Sequence, residues 1–177
     1  MEAMITFNIG QARFVHRVAG VCIHEGHVLL QRSEGGDFWF LPGGRIEVME
    51  SSEEALKREM REELKLDRDV QVERLLWVVE NLFIDDSDGT SNHEVGMYYL
   101  ITFDNQPELY DTSRPLTAIE DTGVFADEPL TFALHWFPLE ALDTIRVYPP
   151  FLRAGLRNLP ASMQHIVEQR APEEAGG

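Results

Sequence analysis

Residues 42–64 constrain the fold of this chain most strongly, because a break in regular structure there precedes a helix with a defined start. The Pro-Gly-Gly tripeptide at 42–44 is poorly tolerated in strands and helices, so we expect a loop there. Ser51, followed three positions later by Glu54, matches a capping box. The pattern therefore predicts a helix over 52–64 that begins directly after a glycine-rich loop.

The predicted helix has an apolar stripe and an acidic face. At about 100° per residue, the apolar residues that recur every four positions form one core-facing stripe: Leu56, Met60 and Leu64. Three carboxylates share an arc of about 100° beside that stripe: Glu59, Glu62 and Glu63. Like charges at this spacing repel, so either the face is simply solvated or a cation binds there. Oxygen ligands of this kind suit Mg²⁺ or Mn²⁺, which leave positions for substrate phosphates.

Composition and charge narrow the class of protein. The 177 residues carry a formal charge of −16, which argues against binding to nucleic acid polymers or acidic membranes. The single cysteine, Cys22, cannot form an internal disulfide. We see no signal peptide and no apolar run of the roughly 20 residues that span a bilayer. A cytoplasmic enzyme or binding protein is therefore expected.

The remaining chain alternates between predicted strands and helices. Strands are predicted at 14–23, 27–32, 38–40, 70–84, 93–103 and from 130 onwards. Helices are predicted after Pro138 and as a C-terminal pair over 149–159 and 160–170. Residues 104–129 show little periodicity and are expected to form an irregular insertion. We expect one domain over 1–170, with a mixed sheet, helices on both faces and a frayed tail at 171–177.

Residues 44–66 resemble the Nudix box, the signature of the Nudix hydrolases. The matching positions are Gly44, Glu50, Arg58, Glu59, Met60, Glu62, Glu63 and Leu66. Lys65 stands where the family usually has glycine. That glycine serves the end of the helix rather than the chemistry, so we expect a different cap there and no loss of activity. The upstream strands and the later segment "LHWFPLEAL" also look like the family, which extends the resemblance over 14–142.

This resemblance implies a Nudix fold, an α/β/α sandwich around a mixed β-sheet. It also implies hydrolysis of a nucleoside diphosphate linked to another moiety X, with Mg²⁺ or Mn²⁺ as cofactor. The implied metal ligands are the Gly43 carbonyl and the carboxylates of Glu59, Glu62 and Glu63. Arg58 would orient Glu59, and Glu50 would hold a metal-bound water or brace the loop.

The general base and the substrate-binding residues are less constrained. Family members use either a Glu of the box or an acid on a loop before the Trp-containing strand. Here that loop offers Glu120, Asp127 and Glu128, of which Glu128 is closest to Trp136 in sequence and is favoured. The residues flanking the glycine loop could hold a phosphate or stack a base: Arg32, Arg45 and Trp39. His93 and Glu94 are further candidates for substrate or metal binding.

Several alternatives stay open at this point. The substrate could be a nucleoside triphosphate, a nucleotide sugar, ADP-ribose or a dinucleoside polyphosphate, because residues 81–84 show neither the Pro nor the Tyr that marks some branches. A non-catalytic nucleotide sensor on the same fold is the main rival. A prenyl-diphosphate isomerase would need a cysteine in the cleft, whereas Cys22 lies in an apolar strand. The expected partner is a small nucleotide, and assembly as a homodimer is left open.

Overall fold

The computed structural model describes residues 3–85, 88–103, 106–120 and 130–170. Its strands are β1 (Thr6–Ile9), β2 (Ala12–Val21), β3 (Ile23–His24), β4 (His27–Ser33), β5 (Gln71–Ile84), β6 (Ser91–Thr102), β7 (Leu116–Glu120), β8 (Leu130–Pro138) and β9 (Gln164–Gln169). Its helices are α1 (Ser52–Leu64) and the short α2 (Leu152–Gly155), with 3₁₀ turns at Pro107–Tyr110 and Leu139–Thr144.

The strands form two sheets. The larger sheet has the order β1-β2-β6-β5-β9 and is mixed, because β2 pairs with β6 and β5 with β9 in parallel while the other neighbours are antiparallel. The smaller sheet, β3-β4-β8-β7, is antiparallel throughout. The parallel pairing of β2 with β6 places residues that are distant in sequence side by side, which matters for the site described below.

Two hydrophobic clusters fix the helices on the sheet. One cluster contains Leu56 and Met60 of α1, both with no exposed surface, together with Val18 and Ile101 of the large sheet. The other contains Leu152 of α2 packed with neighbouring sheet residues. Successive strand residues alternate between the two clusters, as the pleat requires. The predicted α/β/α arrangement around a mixed sheet is thereby confirmed.

Helix α1 begins and ends through local chemistry. The Ser51 hydroxyl accepts a hydrogen bond from the Glu54 backbone N–H, and the Glu54 carboxylate accepts one from the Ser51 backbone N–H, so the predicted capping box is present. The helix ends at Lys65 in the left-handed conformation, with φ of 51°, and its N–H donates to the Arg61 carbonyl. A non-glycine residue in that conformation costs roughly 1–2 kcal/mol, which the packing of α1 must offset.

The C-terminal segment is the main departure from expectation. The helix predicted over 160–170 is wrong: Gln164–Gln169 form β9, which runs parallel to β5 from the Trp77–Gln164 pair to the Leu82–Gln169 pair. An unpaired edge of β5 would leave a row of backbone donors and acceptors without partners, and β9 satisfies them. Tertiary pairing therefore overrides the local helical preference. The preceding helix, predicted over 149–159, is reduced to one turn.

Two other predictions are modified. The strand expected at 38–40 consists only of isolated bridges, one between Phe40 and Gln31 and one between Trp39 and Val147. The stretch expected to be irregular, 104–129, contains a 3₁₀ turn and β7, which pairs with β8; residues 121–129 lie outside the described residues. In the described part of the chain, no helix is long and apolar enough to cross a membrane.

Candidate active site

The loop at 42–44 lies directly against β2. The Val18 N–H donates to the Gly44 carbonyl at 2.9 Å, and the Gly20 N–H donates to the Pro42 carbonyl at 2.8 Å. Gly43 between them has φ of 140°, and a Cβ atom there would lie 2.3 Å from the Val18 carbonyl oxygen. Only glycine fits this close approach. The Gly43 carbonyl is not used in the two hydrogen bonds that attach the loop to β2.

Gly44 makes room for a carboxylate of α1. A Cβ atom on Gly44 would lie between 2.2 and 2.4 Å from all three atoms of the Glu59 carboxylate group. Glu59 is only 4% exposed and Glu63 only 2%, whereas the Glu62 side chain is 60% exposed. Burying carboxylates is costly unless other groups compensate, so a simply solvated acidic face does not describe Glu59 and Glu63. We call these three glutamates and the adjoining glycine loop the acidic wall.

Arg58 connects the acidic wall to the loop. Its Nε and Nη2 donate to the two carboxylate oxygens of Glu50, both at 2.9 Å, and Nη2 also donates to the Arg45 carbonyl at 3.0 Å. Its Nη1 donates to Glu59 Oε1 at 2.9 Å and lies 3.5 Å from Glu62 Oε2. Charge-assisted hydrogen bonds of this forked type are strong and directional. Arg58 is thus placed to orient Glu59, as the resemblance implied.

Arg58 and Glu50 shift each other's pKa values in opposite directions. Hydrogen bonds from Arg58 hold the pKa of the Glu50 carboxyl below its ordinary value, with a smaller contribution from the Glu47 N–H. The hydrogen bonds to Glu50 raise the pKa of Arg58 further, so the guanidinium stays charged. Both groups are therefore ionised near neutral pH, and the loop is tied to α1 by a permanent ion pair.

Arg17 of β2 is a site residue that the sequence analysis missed. Its Nη1 lies 3.8 Å from Glu94 Oε2, and its Nε is buried without a hydrogen-bond partner among the described residues. Burial alone would lower the pKa of Arg17, but the negative field of Glu94, with contributions from the Glu63 and Glu59 carboxylates, raises it. Arg17 is therefore a largely buried cation, with 19% of its side chain exposed, beside the acidic wall. A charged residue in the otherwise apolar part of β2 was the available signal.

A cleft of about 710 Å³ opens next to Arg17 and Glu94. Asn81 lies in the same lining and its Nδ2 donates to Glu94 Oε1 at 3.4 Å. Aromatic side chains form much of the remaining wall: Phe38, Phe40, Phe83 and Tyr148. Two further arginines, Arg146 and Arg170, complete its cationic groups. A cleft with aromatic faces and a few charged groups is typical of a site that binds a small molecule.

The predicted substrate-binding residues lie elsewhere. Trp39 is 8% exposed and packs against His135 and Phe137, while the Arg32 guanidinium lies 4.6 Å from the Trp39 ring centroid. Core contacts thus occupy the indole, so the expected stacking of a base on Trp39 is not supported. The Arg45 Nη1 donates to Met4 Sδ. None of Arg32, Trp39 and Arg45 lines the cleft as the described residues form it.

Of the acids that the sequence offered as general base or as ligands, only Glu94 lies in the described lining of the cleft. Asp127 and Glu128 lie outside the described residues, and Glu120 ends β7 with its side chain undescribed. Glu94, a further candidate from the sequence, does reach the cleft. Its neighbour His93 points to a different environment, where it contacts Phe14 and lies 3.7 Å from Glu80.

The donor atoms of the acidic wall fit a hard divalent cation. Carboxylates and a backbone carbonyl are the oxygen ligands that Mg²⁺ and Mn²⁺ take, and the space at Gly44 is shaped around the Glu59 carboxylate. Among the described residues no three acidic, His or Cys side chains converge as a closed metal site. Glu62 differs from the other two glutamates of the acidic wall, because its side chain is 60% exposed and lies 3.5 Å from Arg58 Nη1.

Comparison with known proteins identifies the family to which this chain belongs. The family model described as NUDIX domain matches residues 15–158. The chain therefore belongs to the Nudix family, which confirms the resemblance given by the box at 44–66 and the expectation of a Nudix pyrophosphohydrolase. A search of curated proteins found no match.

Solved structures with the same fold are distant in sequence. A MutT mutator protein from Bacillus halodurans is 14% identical with a TM-score of 0.57, covering 90% of this chain and 92% of that one. A UDP-X diphosphatase is 19% identical with a TM-score of 0.53; the match covers 86% of this chain and 66% of that protein, just under two thirds of its length. A Nudix hydrolase from Nitrosomonas europaea is 12% identical with a TM-score of 0.51, covering 88% and 79%. At these identities the likeness concerns the fold.

Proposed function

We propose that this protein hydrolyses the diphosphate linkage of a nucleoside diphosphate joined to a moiety X, with Mg²⁺ or Mn²⁺ as cofactor. The observation that carries the proposal is the burial of Glu59 and Glu63 on α1, with the Glu59 carboxylate against Gly44 and held by Arg58. The proposed metal ligands are the Gly43 carbonyl and the carboxylates of Glu59, Glu62 and Glu63. Bound there, the ion would neutralise diphosphate oxygens and lower the pKa of a water molecule.

The chain's own residues have separate tasks in this proposal. Arg58 orients the Glu59 carboxylate, and Glu50 holds Arg58 in place through two hydrogen bonds. Arg17 lies beside the acidic wall and in the cleft, where it can pair with a phosphate oxygen. Proton removal from the attacking water is assigned to Glu128, with Glu120, Asp127 and a glutamate of the box as alternatives. Phosphoryl transfer depends chiefly on such positioning and charge stabilisation.

The substrate is a small nucleotide derivative: a nucleoside triphosphate, a nucleotide sugar, ADP-ribose or a dinucleoside polyphosphate. The aromatic faces of the cleft can contact a base or sugar, and Arg17 offers positive charge to the diphosphate. The net charge of −16 disfavours a nucleic acid polymer. We further propose a single domain over 1–170 and a cytoplasmic location; assembly as a homodimer stays a prediction.

Hydrolysis is tested with a panel of these substrates in Mg²⁺, in which the nucleoside monophosphate product is separated and quantified by chromatography. Wild-type protein should cleave at least one class, and Glu62→Gln should lower kcat by at least tenfold. Glu53→Gln, which alters an exposed acid at the start of the same helix, is the matched control and should keep full activity. If no substrate is cleaved and Glu62→Gln changes nothing, the enzymatic proposal fails, and retained nucleotide binding would favour a sensor.

Metal binding is tested independently of turnover. Mn²⁺ or Mg²⁺ should raise the midpoint of thermal unfolding, because a ligand at ten times its Kd stabilises the folded state by about 1.4 kcal/mol. The double variant Glu59→Gln/Glu63→Gln should lose this shift, while Glu53→Gln should retain it. An equal shift in the double variant would place the ion elsewhere.

A further inference from the structure

The same cleft contains a second cationic group that the proposed reaction does not use. Arg170 directly follows β9, and its backbone N–H donates to the Leu82 carbonyl of β5 at 2.9 Å. Its guanidinium carbon lies 4.3 Å from the centroid of the Tyr148 ring and 5.0 Å from that of the Phe83 ring. The guanidinium is therefore held by two aromatic rings from different parts of the fold.

All three cleft arginines lie over aromatic rings, but the other two also have a carboxylate beside them. Arg17 lies over Phe40 and 3.8 Å from Glu94, and Arg146 lies over Tyr148 and pairs with Asp37. Within the described residues, no Asp or Glu oxygen lies within salt-bridge distance of the Arg170 guanidinium, which lies over two aromatic rings. Aromatic faces stabilise the charge but use none of its N–H donors. The donors along its edge thus remain available to a ligand.

The position of Arg170 separates it from the acidic wall. Arg17 lies on β2, and the sheet order places β6 and β5 between β2 and β9. Three inter-strand spacings of about 4.8 Å put the two strands roughly 14 Å apart. A substrate whose diphosphate lies beside Arg17 would therefore reach Arg170 with a group well removed from that diphosphate.

We propose that Arg170, held between Tyr148 and Phe83, binds a phosphate or carboxylate group carried by the X moiety of the substrate. The enzyme accordingly prefers nucleoside diphosphate derivatives with an acidic X over those with a neutral X. The proposal rests on the proposed function, because it assumes that the diphosphate occupies the Arg17 end of the cleft. A guanidinium fork recognises phosphate and carboxylate by the same paired hydrogen bonds, so both groups are included.

The test compares matched substrates in wild-type protein and variants. One pair is UDP-glucose and UDP-glucuronate, and the other is ADP-ribose and ADP-ribose phosphorylated on the anomeric (1-) oxygen of its terminal ribose. Binding without turnover is measured by calorimetry in the absence of divalent metal, and kcat/KM is measured with Mg²⁺. The variants are Arg170→Gln and Arg170→Lys. Arg157→Gln is the matched control, since Arg157 pairs with Asp143 and does not line the cleft.

We expect wild-type protein to favour the acidic member of at least one pair, and Arg170→Gln to reduce that preference about tenfold, as loss of a charged hydrogen bond does. Arg170→Lys should restore part of the preference, and Arg157→Gln should keep all of it. Thermal unfolding of each variant shows whether folding is intact. An unchanged preference in Arg170→Gln, or no preference in wild type, overturns the subsite.

Failure of the subsite and failure of the proposed function give different results. Hydrolysis without any Arg170-dependent preference removes the subsite and keeps the enzymatic function. Arg170-dependent binding of the acidic ligand without hydrolysis keeps the subsite and removes the enzymatic function. A free phosphate site is distinguished by inorganic phosphate: if it binds as tightly as the acidic nucleotide and depends on Arg170, the group recognised belongs to no substrate and the proposal is wrong.

Discussion

Arg58 donates two parallel hydrogen bonds of 2.9 Å to the two carboxylate oxygens of Glu50, eight residues earlier in the chain. This pair joins the segment before α1 to the helix itself, and the remaining nitrogen of Arg58 holds Glu59. One side chain therefore fixes both the loop and a proposed metal ligand. The predictions below follow from this connection and from the close packing around it.

Replacing Arg58 by Lys should impair activity more than folding. Lysine keeps the charge but cannot form the planar fork, so Glu50 and Glu59 are no longer held together. Residues that orient ligands in this way typically contribute about 10- to 100-fold to activity or metal affinity. Steady-state kinetics should show a loss of this size. Arg61→Lys, on the same helix at an exposed pair with Asp69, is the control and should stay near wild type.

Replacing Gly44 by Ala should displace the Glu59 carboxylate. The new methyl group would lie 2.2 Å from the nearest carboxylate atom, which is far inside contact distance, so the carboxylate must move away from its place against the loop. We expect weaker Mn²⁺ binding and at least a tenfold loss of kcat, with the secondary structure unchanged by circular dichroism. Gly155→Ala is the control: its methyl group would lie 3.1 Å from the Trp77 ring, at a position that is not part of the acidic wall, so this variant should keep metal binding. Unaltered metal affinity in Gly44→Ala would contradict this view of the site.

Replacing Ser51 by Ala should lower stability with little effect on catalysis. The Ser51 hydroxyl caps α1 by accepting from the Glu54 N–H, and loss of such a cap typically costs about 1 kcal/mol. Urea unfolding should show this decrease in the free energy of unfolding. Ser162→Ala, at an exposed position before β9, serves as control. Equal stability of the two variants would mean that the cap contributes nothing measurable.

The Glu50–Arg58 pair should make stability depend on pH in the acid range. Hydrogen bonds from Arg58 lower the pKa of Glu50 in the folded protein relative to an unfolded value of about 4.3. A lowered folded-state pKa contributes stability that is fully present above the unfolded pKa and is lost as pH falls through the folded one. The difference in unfolding free energy between wild type and Glu50→Gln should therefore be fully present near neutral pH and shrink as the pH falls through the lowered folded-state pKa of Glu50. A pH-independent difference would show that the contribution of Glu50 is not its charge.

The sequence alone was sufficient to predict helix α1 and to place the three glutamates of the acidic wall on one of its faces. A capping box, a stripe of Leu56 and Met60, and the spacing of Glu59, Glu62 and Glu63 are local features, since each depends on residues within two helical turns. The ability of these glutamates to donate oxygen ligands follows from their residue type. The glycine loop can be predicted because Pro-Gly-Gly is sterically unsuited to regular backbone structure. For the same reason, the family resemblance over 44–66 required no tertiary information.

Only the tertiary structure decided which distant residue lies beside that wall and which residues line the cleft. Arg17 reaches Glu94 because β2 pairs in parallel with β6, and Arg170 reaches the cleft because residues 164–169 complete the edge of β5 as a strand instead of forming the predicted helix. Both contacts depend on pairings between segments far apart in sequence. Backbone hydrogen bonding at a sheet edge and desolvation of a charge are set by the assembled fold, so no local pattern contains them.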